Sequence, residues 1–225
     1  MYTTWPASNS KGKHSEEMAV AFDRGRDHRL LVIPPLFGEH NTMRRQLVEV
    51  IRRLDGAGVD AFLPDLPGCN ESSTKLEEQS IKSWRRAVST AEKHFGTTHI
   101  LAVRGGALLV PRGTPSFIYG PVKGHRILRA MVRARTVMAQ EAGRTERIDE
   151  LLASGRKEGL GLAGYRLGPD MIAELDEAEF VPTPQTRLIE QVEIGGSPLW
   201  LRAEPTDDPE QADALAALIA VSLLQ

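Results

Sequence analysis

One short stretch joins an apolar, strand-like run to a pair of glycines, with a single arginine between them. Residues 100–103 are all apolar, and Arg104, Gly105 and Gly106 follow directly. Enzymes that hold a nucleophilic serine at the end of a strand use Gly-x-Ser-x-Gly before a helix, and here arginine occupies the serine position of that pattern. A guanidinium can bind a carboxylate or phosphate through paired hydrogen bonds. The stretch therefore indicates charge pairing and not nucleophilic attack.

Arg104 leaves two interpretations open. A buried arginine needs an anion, and the chain offers two carboxylates that the topology should bring close, Glu39 and Asp65. In the first interpretation, which we favour, Arg104 pairs with one of them inside the protein. In the second, Arg104 and Gly105 bind a small anionic ligand from solution.

The stretch 37–41, Phe-Gly-Glu-His-Asn, holds the remaining candidates. Glu39 and His40 could form an acid–base pair, since histidine titrates near physiological pH. Residues at the start of a helix also serve as caps and solvent contacts, so this alternative stays open. The predicted ligand-binding residues are therefore Phe37, Glu39, His40, Asn41, Asp65, Arg104 and Gly105.

The general base of a serine hydrolase is missing from its usual place. That histidine follows the nucleophile and comes last in chain order, whereas the last histidine here is His125. Cys69 lies in a Pro-Gly turn without an obvious base, which indicates a small turn residue. No group of histidine, cysteine or carboxylate residues has metal-ligand spacing. We expect no catalytic residue, no metal and no cofactor.

Composition favours a soluble globular chain. It has 225 residues, of which 41% are hydrophobic and 26% charged, and its formal net charge of -2 gives no sign of a nucleic-acid partner. The single cysteine excludes an internal disulfide, and the first residues show no apolar signal segment. The longest apolar stretch, 214–224, is about half as long as a membrane span. We expect a cytoplasmic protein.

The elements that must position these residues alternate between apolar strands and amphipathic helices. This alternation predicts a three-layer α/β fold, with a mostly parallel central sheet and helices on both faces. The segment 98–104 should be a central strand between those near 30–34 and 115–119. Only residues 107–115 separate Gly106 from the next strand, so the helix after Arg104 should be shortened. Strands are predicted at 28–36, 59–68, 98–104 and 116–122, and helices at 41–58 and 77–96, the first capped by Asn41 or Thr42.

The second half continues the alternation less regularly. We expect residues 1–17 to be a loose segment and 18–225 to form a single domain. The predicted elements are a helix at 125–140, a glycine-rich strand at 159–167, a helix at 169–180, two strands within 187–204 joined by a Gly195-Gly196 turn, and a last helix capped by Asp207 or Asp208.

The helix at 125–140 has two distinct faces. Helical spacing places Ile127, Met131, Ala134 and Met138 on one stripe, which predicts a face turned to the core. Three arginines, at 126, 129 and 133, lie on another face. They form either a solvated surface or a docking face for an acidic partner, an anionic polymer or a membrane surface.

Three stretches together resemble a known family. Residues 30–72, with a strand that ends in Asp-x-Pro-Gly-x-x-x-Ser, resemble the start of α/β-hydrolases. Pro-Pro-Leu-Phe at 34–37, Pro-Asp-Leu-Pro-Gly-Cys at 64–69 and Ala-Gly-Tyr-x-Leu-x-Pro at 163–169 resemble the second type of exosortase A system-associated hydrolases. The resemblance covers about residues 17–202, and it implies that an arginine at position 104 is usual in this type.

The resemblance implies a bacterial setting of exopolysaccharide production and sorting of proteins to the cell surface. Two functions fit that setting. The first is a catalytically degenerate protein that binds a protein partner or a small anionic ligand, with peripheral membrane contact as a further option. The second is an active esterase-like hydrolase or acyl transferase with an unconventional site. The missing serine and histidine favour the first.

Overall fold

The computed structural model describes residues 1–8 and 14–224. The strands of this part of the chain are β1 (Tyr2–Ser8), β2 (His14–Phe22), β3 (Arg29–Ile33), β4 (Asp60–Pro64), β5 (His99–Val103), β6 (Ser116–Tyr119), β7 (Leu160–Leu162), β8 (Tyr165–Leu167) and β9 (Thr186–Ile189). A seven-stranded sheet has the order β1-β2-β4-β3-β5-β6-β9, and β7 and β8 form a separate antiparallel pair. The strands from β4 to β9 in that order run parallel, and β1 and β2 are antiparallel additions at one edge.

Helices cover both faces of the sheet, which confirms the predicted three-layer architecture. They are α1 (Gly38–Gly56), α2 (Ile81–Phe95), α3 (Gly124–Glu141), α4 (Ile148–Glu158), α5 (Pro169–Glu177), α6 (Gln191–Ile194) and α7 (Pro209–Leu224). One apolar core lies between the sheet and α1 with α7, and the other lies between the sheet and α2 with α3 and α5. None of the helices described is long and apolar enough to cross a membrane.

The strand order creates a crevice at one end of the sheet. β4 lies on one side of β3 and β5 on the other, so the connections that leave β3 and β5 diverge. In open α/β sheets, ligands bind outside the carboxyl ends of strands at such a reversal. The predicted central position of β5, between β3 and β6, is confirmed.

The connection after β5 is a short 3-10 helix, Arg104–Leu109, as the small number of available residues predicts. Its two glycines lie against neighbouring elements. A Cβ on Gly106 would lie 2.5 Å from the carbonyl oxygen of Pro34, and a Cβ on Gly105 would lie 2.8 Å from Ile127 Cδ1. The contact at Gly106 is with backbone, which cannot give way, so glycine is required there for β3 and β5 to end side by side, whereas the contact at Gly105 is with the end of a flexible side chain.

Residues 1–17 contain strands where we expected a loose segment. β1 pairs with β2 along its whole length, and β2 in turn pairs with β4. Trp5 and Ala7 point inward from β1 and are fully buried. Trp5 and Ala7 are two residues apart and therefore lie on one face of β1, whereas Pro6 between them is only partly buried.

Two other expectations are corrected by local turn geometry. The segment 159–167 is a hairpin and not a single strand, because Ala163 and Gly164 both have positive φ, as the tight turn of a hairpin requires. The pair of strands expected around Gly195-Gly196 is also wrong. There, β9 is followed by α6, in which Glu193 accepts a hydrogen bond from the backbone N–H of Glu190 and stabilises the helix start.

The helices at residues 38–56 and 124–141 also differ in detail from their predictions. α1 begins at Gly38, ahead of Asn41 and Thr42, because the positive φ of Phe37 turns the chain into the helix at that point. In α3 the predicted core stripe is only partly buried, since Ala134 and Met138 are exposed. The side chains that α3 buries are those of Leu128, Met131, Val132 and Ala139.

Candidate functional site

The candidate residues collect at the carboxyl ends of β3, β4 and β5. Glu39, His40 and Asn41 lie in the first turn of α1, which follows β3. Asp65 follows β4, and Arg104 follows β5. The parallel strands therefore bring these residues, which lie far apart in sequence, together at the carboxyl end of the sheet.

Arg104 is held in place by hydrogen bonds and a ring contact from other groups of the protein. Its Nε and Nη2 donate to the two carboxylate oxygens of Glu39, each at 3.1 Å, and its Nη1 donates to the carbonyl of Gly120 at 2.8 Å. The centre of the Trp200 ring lies 4.5 Å from the guanidinium carbon. Paired hydrogen bonds of this kind are the strongest that an arginine makes with a carboxylate.

The internal partner of Arg104 is thus Glu39 and not Asp65. Gly105 is buried beneath Leu36 and Ile127, so its backbone is not an approach for a ligand. The Trp200 ring also packs against Gly120 and closes the space beside the guanidinium.

Asp65 belongs to a second charge pair a short distance away. Arg44 Nη1 and Asn70 Nδ2 both donate to Asp65 Oδ1, each at 2.6 Å. The same two nitrogens lie 3.1 Å and 3.0 Å from His40 Nε2. Because arginine only donates hydrogen bonds, Nε2 of His40 is an acceptor, and the ring carries its proton on the other nitrogen, towards the Pro35 carbonyl.

His40 is a neutral imidazole in this arrangement. Burial, followed by the positive charge of Arg44, lowers its pKa to about 4, against the opposing effects of Asp65 and of the hydrogen bond to the Pro35 backbone. Glu39 and His40 therefore have separate partners, and the acid–base pair that their adjacency suggested does not form. His40 at neutral pH has no free lone pair at Nε2 with which to activate a nucleophile.

A cavity of about 250 Å³ opens between the ends of β3 and β4. Phe37 forms its aromatic centre, with ring centres of Trp84 and Tyr165 at 5.7 Å and 5.6 Å. Asn41 lies at the rim, where its amide nitrogen is 3.4 Å from the Tyr165 hydroxyl oxygen. The lining residues are Pro35, Leu36, Phe37, His40, Asn41, Leu66, Gly68, Cys69, Asn70, Trp84 and Tyr165.

The cavity lining carries no reactive thiolate. Burial, followed by the nearby Asp65 and Glu17 carboxylates, raises the pKa of Cys69 to about 12. Burial also raises the pKa of Tyr165 above its ordinary value. Both groups are neutral at physiological pH, and the expectation that Cys69 is not a nucleophile agrees with this environment.

Several residues of the site were not among the sequence candidates. Trp84 lies in the helix predicted at 77–96, where its type and spacing indicate an ordinary core residue, and Trp200 lies in a segment expected to be a strand. Asn70 sits at a positive φ that asparagine tolerates, which aims its amide at Asp65. Tyr165 had one available signal, because it lies in the Ala-Gly-Tyr stretch on which the family resemblance depends.

Known structures resemble this chain over nearly its whole length. The esterase domain of a Rhodothermus marinus protein has a TM-score of 0.57 at 9% identity, covering 99% of this chain and 97% of that one. The mouse α/β hydrolase domain-containing protein 10 has a TM-score of 0.56 at 12% identity, covering 99% and 100%. A bottromycin epimerase in complex with bottromycin A2 has a TM-score of 0.53 at 14% identity, covering 98% and 99%. No protein-family model and no curated protein matches the sequence.

Replacing Arg104 by methionine tests the pair with Glu39. The change leaves a carboxylate without its partner, so we expect the free energy of unfolding to fall by about 2 kcal/mol in urea denaturation. This is less than the loss for a fully buried pair, because the Glu39 side chain remains 31% exposed.

Lys123→Met is the matched control, since the ion pair between Lys123 and Glu179 is exposed and its loss should matter much less. The double variant Arg104→Met/Glu39→Gln should recover part of the stability, because no charge is then left alone. A rise in wild-type Tm with phosphate that vanishes in Arg104→Met would contradict the internal pair.

His40 predicts a pH dependence of stability with a definite sign. Its pKa is about 4 in the folded protein and about 6.5 in the unfolded chain, so the unfolded state binds more protons between these values. The contribution of His40 to the free energy of unfolding is therefore fully present above pH 6.5, and it is lost as the pH falls towards 4. Between pH 7.5 and 5, His40 should account for about 2 kcal/mol of this decrease.

Urea denaturation of the wild type and His40→Gln at both pH values measures this contribution. The substituted protein should lose about 2 kcal/mol less than the wild type over the same interval. An equal loss in the two proteins would show that His40 is not the group responsible.

Proposed function

We propose that this chain, which has the α/β-hydrolase fold, is a binding protein without hydrolase activity that takes a small uncharged ligand in the cavity beside Tyr165. The fold by itself does not decide between these roles, because one fold supports many functions. Solved structures of similar fold include an epimerase as well as an esterase domain. The proposal therefore depends on the residues of the site.

The state of Arg104 carries the proposal. In α/β-hydrolases the nucleophile sits on a sharp, strained turn between a strand and a helix. Arg104 has a φ of 54° directly after β5, and we assign it to that position. Each guanidinium nitrogen donates one hydrogen bond, to Glu39 or to Gly120, and the charge is paired with Glu39, so this turn offers neither a nucleophile nor an unpaired cation.

His40, the histidine among the candidate residues, does not supply a general base for this turn. His40 accepts hydrogen bonds at Nε2, and its pKa of about 4 means that it binds a proton weakly at neutral pH. A general base works best with a pKa near the operating pH. Together with the absence of histidine after His125, this supports a non-hydrolytic role.

The chemistry of the cavity favours an uncharged ligand over the small anion that the second interpretation of Arg104 offered. Arg44 and Arg104, the basic groups at this end of the sheet, are each paired with a carboxylate. What faces the cavity is aromatic surface together with neutral polar groups such as the Asn41 amide. A volume of about 250 Å³ suits a ligand smaller than a drug-sized molecule.

The stretches that carry the family resemblance meet at this cavity. Phe37 comes from the first, Cys69 from the second and Tyr165 from the third. This convergence supports assigning the chain to the cytoplasmic side of a bacterial exosortase-associated exopolysaccharide system, where it would act as a binding or accessory protein. The assignment rests on the resemblance, and the cavity is the feature through which it would act.

Simple esters test the absence of hydrolysis. We expect the purified chain to cleave p-nitrophenyl acetate and butyrate no faster than the unfolded chain, because no activated nucleophile is present. Saturable turnover that a serine-directed phosphonate abolishes would instead establish the alternative, an esterase-like enzyme.

Benzamide and benzoate test the ligand class, because they share a ring and differ in charge. Benzamide at millimolar concentration should raise the Tm, since a ligand that binds only the folded state stabilises it. Benzoate should raise it less. Cys69→Phe, which fills the cavity, should remove the effect of benzamide, whereas Cys69→Ser and Arg104→Met should keep it. The proposal would be contradicted if benzoate raised the Tm more than benzamide did and Arg104→Met removed that effect.

A further inference from the structure

One face of α3 exposes arginines that have no partner among the described residues. Arg126, Arg129 and Arg133 follow one another at intervals of three and four residues, so they lie on one side of the helix and are all exposed. No ion pair or side-chain hydrogen bond of the described part of the chain involves their guanidinium groups. Arg135 of the same helix shows the contrast, because it is held by both carboxylate oxygens of Glu146.

Two apolar side chains near the end of α3 are exposed instead of entering the core. Val137 is 49% exposed and Met138 is 64% exposed. Val137 lies one helical turn after Arg133 and therefore on the same side of α3, and Met138 lies on the adjoining exposed side, one turn after Ala134. The structure thus places unburied apolar groups next to unpaired cations.

The charge of this segment is strongly one-sided. Residues 121–144 contain six basic residues and a single acidic one, Glu141, in a chain whose net charge is -2. A local excess of positive charge attracts anions to that surface even when the net charge of the chain is negative. This surface consists of Arg126, Arg129, Arg133, Val137 and Met138, and we call it the α3 face.

We propose that the α3 face binds the surface of a membrane that contains anionic lipids. Helices that lie in a membrane interface combine basic residues, which contact lipid phosphates, with apolar residues that enter the boundary with the acyl chains. The α3 face has both kinds of group. Nucleic acid or an acidic polymer would use the arginines and leave Val137 and Met138 exposed to water.

The size of the electrostatic contribution makes the proposal measurable. Each arginine near an anionic membrane strengthens binding by about 1 kcal/mol, which corresponds to about five-fold in the partition coefficient. Three such residues together account for roughly a hundred-fold. The proposal does not depend on the ligand of the cavity.

Sedimentation with lipid vesicles tests it. The intact chain should bind vesicles of phosphatidylcholine with one quarter phosphatidylglycerol, and not vesicles of phosphatidylcholine alone. The triple variant Arg126→Gln/Arg129→Gln/Arg133→Gln should bind roughly a hundred-fold more weakly. Val137→Ser/Met138→Ser, which keeps every charge, should also weaken binding several-fold.

The matched control removes the same charge from another surface. Arg45, Arg52 and Arg202 are exposed and lie on or beside α1, and each is near a carboxylate of the chain. Substituting these three by glutamine should leave vesicle binding unchanged. The proposal would be overturned if the two triple variants lost binding equally, or if the intact chain did not bind anionic vesicles. It would also be overturned if the chain bound heparin but not vesicles, and if Val137→Ser/Met138→Ser left the heparin binding unchanged.

Discussion

The hydrogen-bonded pair between Arg104 and Glu39 is the interaction on which the site depends. It joins the end of β5 to the first turn of α1, and the bond from Arg104 to the Gly120 carbonyl adds the end of β6. A guanidinium at this depth requires a compensating charge, since an unpaired buried ion is costly. The pair therefore fixes three connections at the edge of the sheet where ligands usually bind.

The pairing of Arg104 with Glu39 affects the charge balance of the neighbouring groups. Glu39 pairs with Arg104 and Asp65 pairs with Arg44, so each of the two ion pairs is neutral overall. His40 then sits beside a cation in a buried position and stays neutral. The cavity between β3 and β4 is consequently a neutral, aromatic space even though four charged residues lie close to it.

The sequence predicted the parallel sheet and the shortened helix after β5, because continuous apolar strands and the short span 107–115 allow few alternatives. It also predicted an internal carboxylate partner for Arg104, but it could not choose between Glu39 and Asp65. That choice depends on α1 beginning at Gly38, which turns Glu39 towards β5. The helix begins there because Phe37 has a positive φ. This is a feature of the backbone, and no residue pattern in the chain predicts it.

The packing of β5 against β3 accounts for the strained backbone at Arg104. A non-glycine residue with positive φ costs about 1–3 kcal/mol, and it is retained only where its surroundings require it. Here Gly106 passes so close to the Pro34 carbonyl that the chain must reverse sharply at the end of β5. The strain at Arg104 thus belongs to the packing of β5 against β3, and the pair with Glu39 offsets it. The packing therefore determines the backbone of this connection, while the side chain that occupies it decides the chemistry.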